Sequence, residues 1–140
     1  MITVKSHGVI NTYDLVARGE AKDIPGAEDI LKDCLHRSIE VRQGLVDGKL
    51  ACVWGLIPPT FLSNQAYLWL ATTELVAEHK FLFVRQSQRY VEEALKLYPI
   101  IIGDVLINNG PAKRWLKWLG AEFSHPVAGR IPFTIVKKNG

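Results

Sequence analysis

Apolar residues recur along this chain with two different periods, and the switches between them mark its elements. Ile2 to Lys5 reads as a short strand. Asn11 or Thr12 can cap a first helix reaching about Glu20, with Tyr13, Leu15, Val16 and Ala17 as its apolar positions. Pro25–Gly26 breaks the chain, and Ile30, Leu31, Cys34 and Leu35 then form one stripe of a helix predicted over Ala27 to Arg37. The period drops to two where Ile39, Val41 and Gln43 alternate with Glu40 and Arg42, which predicts a half-buried strand. Asp47–Gly48 is a strong hairpin signal, because both central residues of a primed turn need positive φ. The return strand, Lys49 to Ile57, stops at Pro58–Pro59. After a turn over Ser63 to Gln65, the aromatic-rich segment Ala66 to Ala71 predicts a third strand of this series.

One long helix is expected next, from about Glu74 or Glu78 to Leu97. Val84, Ser87, Val91, Ala94, Leu95 and Tyr98 share one face, and Arg85, Gln88, Arg89, Glu92 and Glu93 lie largely off it. Tyr98–Pro99 ends this helix. Ile100 to Ile107 is an apolar, β-branched run interrupted only by Gly103 and Asp104, the pattern of a strand covered on both faces. Asn109 can cap a last helix, Pro111 suits its first turn, and Gly120 can close it. Two final strands, Glu122 to Ser124 and Ile131 to Lys137, flank the loop His125 to Arg130. The order predicts one α/β domain over residues 1–140, a mixed and mostly antiparallel sheet with helices on both faces.

Composition changes this picture little. A chain of 140 residues buries about 68% of its unfolded surface, enough for a core without staples. Hydrophobic residues at 48% and charged residues at 22% are globular values. No apolar run approaches the ~20 residues of a membrane-spanning helix. The start MITVKSHG has no basic segment followed by an apolar one, so no signal peptide is expected. Cys34 and Cys52 fall in apolar-periodic segments and are expected as reduced core residues, which fits a cytosolic setting. Seventeen basic against fourteen acidic residues, net +3, make no nucleic-acid footprint. His7, His36, His79 and His125 lack metal-ligand spacing, so no metal is expected.

The stretch Ile100 to Phe123, IIIGDVLINNGPAKRWLKWLGAEF, resembles the last strand–helix–strand block of GNAT (acetyltransferase-like) proteins. Asn109, Ala112, Trp115–Leu116 and Gly120–Ala121 stand at the positions of the family pattern, and the whole element order is similar to that fold. In the family, a glycine-rich loop after the fourth strand wraps the pyrophosphate of acetyl-CoA with backbone amides. Here no glycine occurs between Gly55 and Gly103. Many active members also carry a tyrosine on the last helix, and that position holds Leu116, which can do no acid–base chemistry. The ending, Gly120–Ala121 followed by Phe133–Thr134–Ile135, further resembles the small GNAT-like internal virion proteins of short-tailed phages.

That second resemblance implies a phage-encoded assembly or accessory factor in the host cytoplasm, or packaged in the virion. Its partners would be other virion proteins or a host protein, with no need of catalysis. The family resemblance implies, as the alternative, a divergent N-acetyltransferase using acetyl-CoA. The backbone at Leu70 and Thr72 would hold the pantetheine like an added strand, Lys80 the phosphates, and Asn109 would stand near the thioester. Arg85 and Arg89 are further cations near the start of the long helix. Glu40, Glu74 and Glu78 are the acids expected nearest the cleft. A third use of such a fold is a host-targeting inhibitory binding module.

Overall fold

A computed structural model describes residues 2–5, 10, 12–19, 24–60 and 62–137. Its elements follow the predicted order, with one exception: β1 (Ile2–Lys5), α1 (Thr12–Ala17), α2 (Ala27–Arg37), β2 (Glu40–Val46), β3 (Lys49–Ile57), β4 (Gln65–Thr72), α3 (Glu74–Glu78), α4 (Lys80–Leu97), β5 (Ile100–Leu106), α5 (Gly110–Trp118), β6 (Glu122–Phe123) and β7 (Arg130–Val136). His7 and Asn11, weighed above as a ligand and a cap, lie outside the described residues. By packing, the chain forms two compact units, Met1–Ile57 with Trp69–Phe83, and Pro58–Leu68 with Val84–Gly140. β4 gives its first half to the second unit and its second half to the first.

In the first unit the strands run in the order β1, β2, β3, β4. β1 pairs antiparallel with β2, and β2 with β3. The hairpin turn is the one predicted, with φ of 50° at Asp47 and 81° at Gly48. A register shift falls between Gly44 and Leu45, where the chain passes Cys52 closely. Leu15, Val53 and Leu56 are almost wholly buried at the centre of this unit. Of the predicted α2 stripe Leu31 is buried and Cys34 and Leu35 are half-buried, but Ile30 is 59% exposed. The buried flank of α2 starts instead at Ala27, one turn before Leu31. Trp69 lies against Gly55, and its indole N–H donates to Ser38 Oγ at 2.7 Å, which in turn donates to the Cys34 carbonyl at 2.6 Å. Neither Cys34 nor Cys52 is in a disulfide, and burial pushes the Cys52 thiol up to about 12.

In the second unit the order is β4, β5, β7, β6. β4 and β5 are parallel over three pairs, Gln65↔Ile100, Ala66↔Ile101 and Tyr67↔Ile102. β7 runs antiparallel along the whole of β5, from Ile100↔Val136 to Leu106↔Arg130, and pairs with the short β6. The paired sheet is therefore mixed and mostly antiparallel. Ala66, Ile101, Phe133 and Ile135 from the strands, with Val91, Ala94 and Leu116 from α4 and α5, form the buried centre of this unit. Tyr90 joins them, one residue off the face read from periodicity.

The last helix begins as its sequence dictates. Asn109 Oδ1 accepts from the Ala112 amide at 3.2 Å, Pro111 sits in the first turn, and Gly120 leaves the helix at φ 96°. Asn109→Ala is expected to cost about 1 kcal/mol. A urea midpoint shift at unchanged slope would show it, and an unmoved midpoint would contradict the cap.

The exception is the predicted long helix, which is two. Thr73 starts α3, accepting the Leu75 amide on Oγ1 and the Val76 amide on its carbonyl. His79 leaves helical geometry at φ −128° and ψ 34°, and its amide closes back on the Val76 carbonyl. The helix restarts where the Leu82 and Phe83 amides both bond the His79 carbonyl. The apolar face read from sequence begins only at Val84, within α4, and no glycine or proline between Glu74 and Leu97 marks the break.

Candidate functional site

The chemistry-bearing residues fall into two groups, one in each unit. In the second unit, Tyr67 of β4, Asp104 of β5 and Arg130 of β7 meet through their side chains. The Tyr67 hydroxyl donates to Asp104 Oδ2 at 3.2 Å, and Arg130 Nε donates to Asp104 Oδ1 in an ion pair. Asp104 keeps 28% of its side chain exposed, and Arg130 45%. Each carboxylate oxygen has one donor and keeps lone-pair capacity for a second partner. Sequence reasoning missed this group, although a signal was present, since Asp104 is the one charge in an otherwise apolar central strand.

The first unit holds the connection from β4 to α4. Arg18, just after α1, binds both Asp14 Oδ2 and Glu74 Oε1 at 2.9 Å, and reaches the Leu50 carbonyl at 3.4 Å. Hydrogen bonds from Arg18 hold the Glu74 carboxyl below its ordinary range, and the same bonds raise the Arg18 guanidinium. Thr73 is buried and donates its hydroxyl to the carbonyls of Leu50 and Ala51 while its amide also binds Ala51.

The residues singled out from sequence divide between these units. Leu70, Thr72 and Lys80 belong to the first, Asn109 to the second. Leu70 is 43% exposed and Thr72 half-buried, on the strand that ends the first unit's β1-to-β4 series. Gly19 lies hard against the Thr72 carbonyl and bridges Thr73, so the backbone edge there already has a neighbour. Lys80 is exposed at the first position of α4 and makes no ion pair among the described residues. Asn109 Oδ1 is engaged as the α5 cap. Glu40 is paired with Arg42 at 2.6 Å and Glu74 with Arg18, while Glu78 is exposed. Arg85 and Arg89, one turn apart, line a shallow groove of about 340 Å³ with Gln88 and Glu92. Leu116 is 2% exposed, a core residue. No group of histidine, cysteine or carboxylate side chains suited to a metal occurs among the described residues. No described helix is long and apolar enough to cross a membrane.

A pyrophosphate held by backbone needs several amides free to converge on it. Between β4 and α4, the amides of Leu75 and Val76 are both taken by Thr73, and that of His79 by Val76. Glu74 adds a negative charge at the same turn. The turn at Thr73 therefore does not fit an amide grip on the pyrophosphate of coenzyme A.

The arrangement of strands and helices defines a class: this chain has the GNAT acetyltransferase fold. It superposes on a Bacillus subtilis acetyltransferase in complex with CoA at a TM-score of 0.72 and 14% identity, covering 97% of this chain and 99% of that one. The ribosomal-protein-S18-alanine N-acetyltransferase of Escherichia coli matches at 0.72 and 16%, over 100% and 97% of the two chains. The Campylobacter jejuni N-acetyltransferase PseH in complex with acetyl coenzyme A matches at 0.60 and 13%, over 99% and 100%. At these identities the likeness is one of fold. No family model matches the sequence, and no curated protein does.

Proposed function

We propose that this chain is a divergent N-acetyltransferase whose acceptor amine is served by Asp104. The observation that carries the reading is the placement of that carboxylate, on the central strand of the second unit, partly exposed and oriented from two sides by Tyr67 and Arg130. An amine acceptor arrives as an ammonium ion and must shed a proton before its lone pair can attack. A fixed carboxylate can bind the ammonium and take that proton. Solved structures of the same fold, two of them holding CoA or acetyl-CoA, support the choice of an acetyl thioester as donor. Such a donor supplies an activated acetyl group. In this chain the phosphates of such a donor would fall to a side chain, that of Lys80.

Calorimetric titration with acetyl-CoA and CoA tests this. Micromolar-range binding is expected, weakened at least about tenfold by Lys80→Glu because a charge-assisted contact becomes repulsive. No heat at millimolar ligand would overturn the reading. One observation favours a second, non-catalytic reading as a virion or assembly factor working by protein contact: the self-capped turn at Thr73, which removes the amide grip on a donor. Under it the titration is silent, and the protein co-purifies with particles or with a host protein.

A further inference from the structure

The net charge of +3 conceals a separation that only the fold exposes. The first unit carries eight Lys and Arg against ten Asp and Glu, whereas the second carries nine against four. The units are interleaved in sequence, so no basic run marks the difference. Local neutralisation differs in the same way. Five of the six ion pairs among the described residues lie in the first unit, and the second has Arg130–Asp104. The remaining described cations of the second unit have no carboxylate partner among the described residues.

Three of these cations stand together on α5. Lys113 and Lys117 are one turn apart, and Arg114 and Trp118 are one turn apart beside them. Leu116 is buried towards the core, Arg114, Lys117 and Trp118 stand on the outward side, and Lys113 is half-buried at its edge. Arg114 and Lys117 are exposed, and Trp118 shows 54% of its surface. The neighbouring Trp115 is used structurally, its indole donating to Ser87 Oγ of α4 at 2.8 Å. Trp118 makes no such hydrogen bond among the described residues. The helix dipole accounts for Lys117 in the last turn, but it offers nothing to Lys113 and Arg114 in the first half. Near that same Ser87 in sequence are Arg85 and Arg89, a second cation pair one turn apart on α4.

We infer that the outer flank of α5, Lys113, Arg114, Lys117 and Trp118, is a binding surface for single-stranded nucleic acid, read by charge and stacking without sequence preference. Unneutralised cations attract the phosphate backbone through counterion release. An exposed indole among them gives a base a face to stack on. An acidic protein segment would use the cations but gain less from the tryptophan, and for that reason the polynucleotide is favoured. The inference stands apart from the acetyl-transfer reading and its test needs no acyl donor.

The experiment is fluorescence anisotropy of a labelled oligothymidylate of about 20 nucleotides, longer than a single module's site. At about 50 mM salt the full chain is expected to bind at 1–100 µM, roughly the nonspecific range. The logarithm of affinity should fall against the logarithm of salt with a slope near −2 to −3, about 0.7 per neutralised phosphate for three or four contacts. Intrinsic tryptophan fluorescence should be quenched on binding, and Trp118→Ala should weaken it about tenfold, the value of one lost stack. Lys113→Gln with Lys117→Gln should flatten the salt slope by about 1.4. Lys117 and Trp118 are exposed and Lys113 is half-buried, and circular dichroism of each variant checks that it is folded. No anisotropy change at 100 µM protein would overturn the inference. So would binding indifferent to Trp118→Ala and competed equally by polyglutamate, which would assign the surface to an acidic protein segment.

Discussion

Gly103→Val is expected to destabilise the protein by about 3 kcal/mol, the upper part of the range for overpacking a filled core. Intrinsic preference points the other way, since valine outranks glycine in strands. Geometry decides the sign. A Cβ at position 103 would lie 2.5 Å from Phe133 Cζ, 2.6 Å from its Cε2 and 2.9 Å from the Leu68 carbonyl. Phe133 is the register partner of Gly103 on β7, is 4% exposed, and has filled the space the glycine leaves. Its ring has no route to solvent, and the Leu68 carbonyl is backbone. For a chain of this size such a loss lowers the melting temperature by about 10 °C. Gly103→Ala should fall between, and Phe133→Leu in the Gly103→Ala background should restore part of the loss by making room. A melting temperature within about 2 °C of the wild type for Gly103→Val would contradict the packing described.

Under the acetyl-transfer proposal, Asp104→Asn is expected to have the second large effect, on rate and not on stability. Asparagine keeps the shape, and its one carbonyl oxygen can still accept from Arg130 while its amide nitrogen donates to a turned Tyr67 hydroxyl, but it takes up no proton. Loss of a positioned base lowers turnover by about 10²-fold or more. The ion pair with Arg130 is partly exposed, so its removal costs at most about 1 kcal/mol, and the variant should melt close to the wild type. Acetyl transfer to an amine acceptor, followed by thiol release, measures the first. A thermal melt measures the second. Retention of more than half the rate would remove Asp104 from the chemistry. A fall in rate matched by a large fall in melting temperature would assign it a packing role instead.

Much of the architecture could be read from residues near in sequence. The Asp47–Gly48 turn, the Asn109 cap, the Gly120 exit and the alternation in β2 depend on φ preferences and on donors a few positions apart, so a linear text carries them. The family resemblance likewise rests on a contiguous block from Ile100 to Phe123. The break at His79 was not readable, because no glycine or proline marks it and the apolar face begins only at Val84. The missing glycine loop was readable, but not what replaces it: Thr73 capping its own turn, with Glu74 held by Arg18, fifty-six residues away.

The candidate site divides along the same line. Sequence order put the acids of interest at Glu40, Glu74 and Glu78, yet two of these are committed to arginines. Asp104 gains its setting from Tyr67 and Arg130, residues 37 and 26 positions distant, which only strand pairing brings together. The separation of charge arises in the same manner, since each unit is assembled from two discontinuous segments. What the sequence alone determined is local: where elements start, turn and stop, and through them the class of fold. Which carboxylate is presented, which cations are left unneutralised, and why a glycine interrupts the central strand were decided by tertiary contacts, because those depend on distances in space that no spacing along the chain encodes.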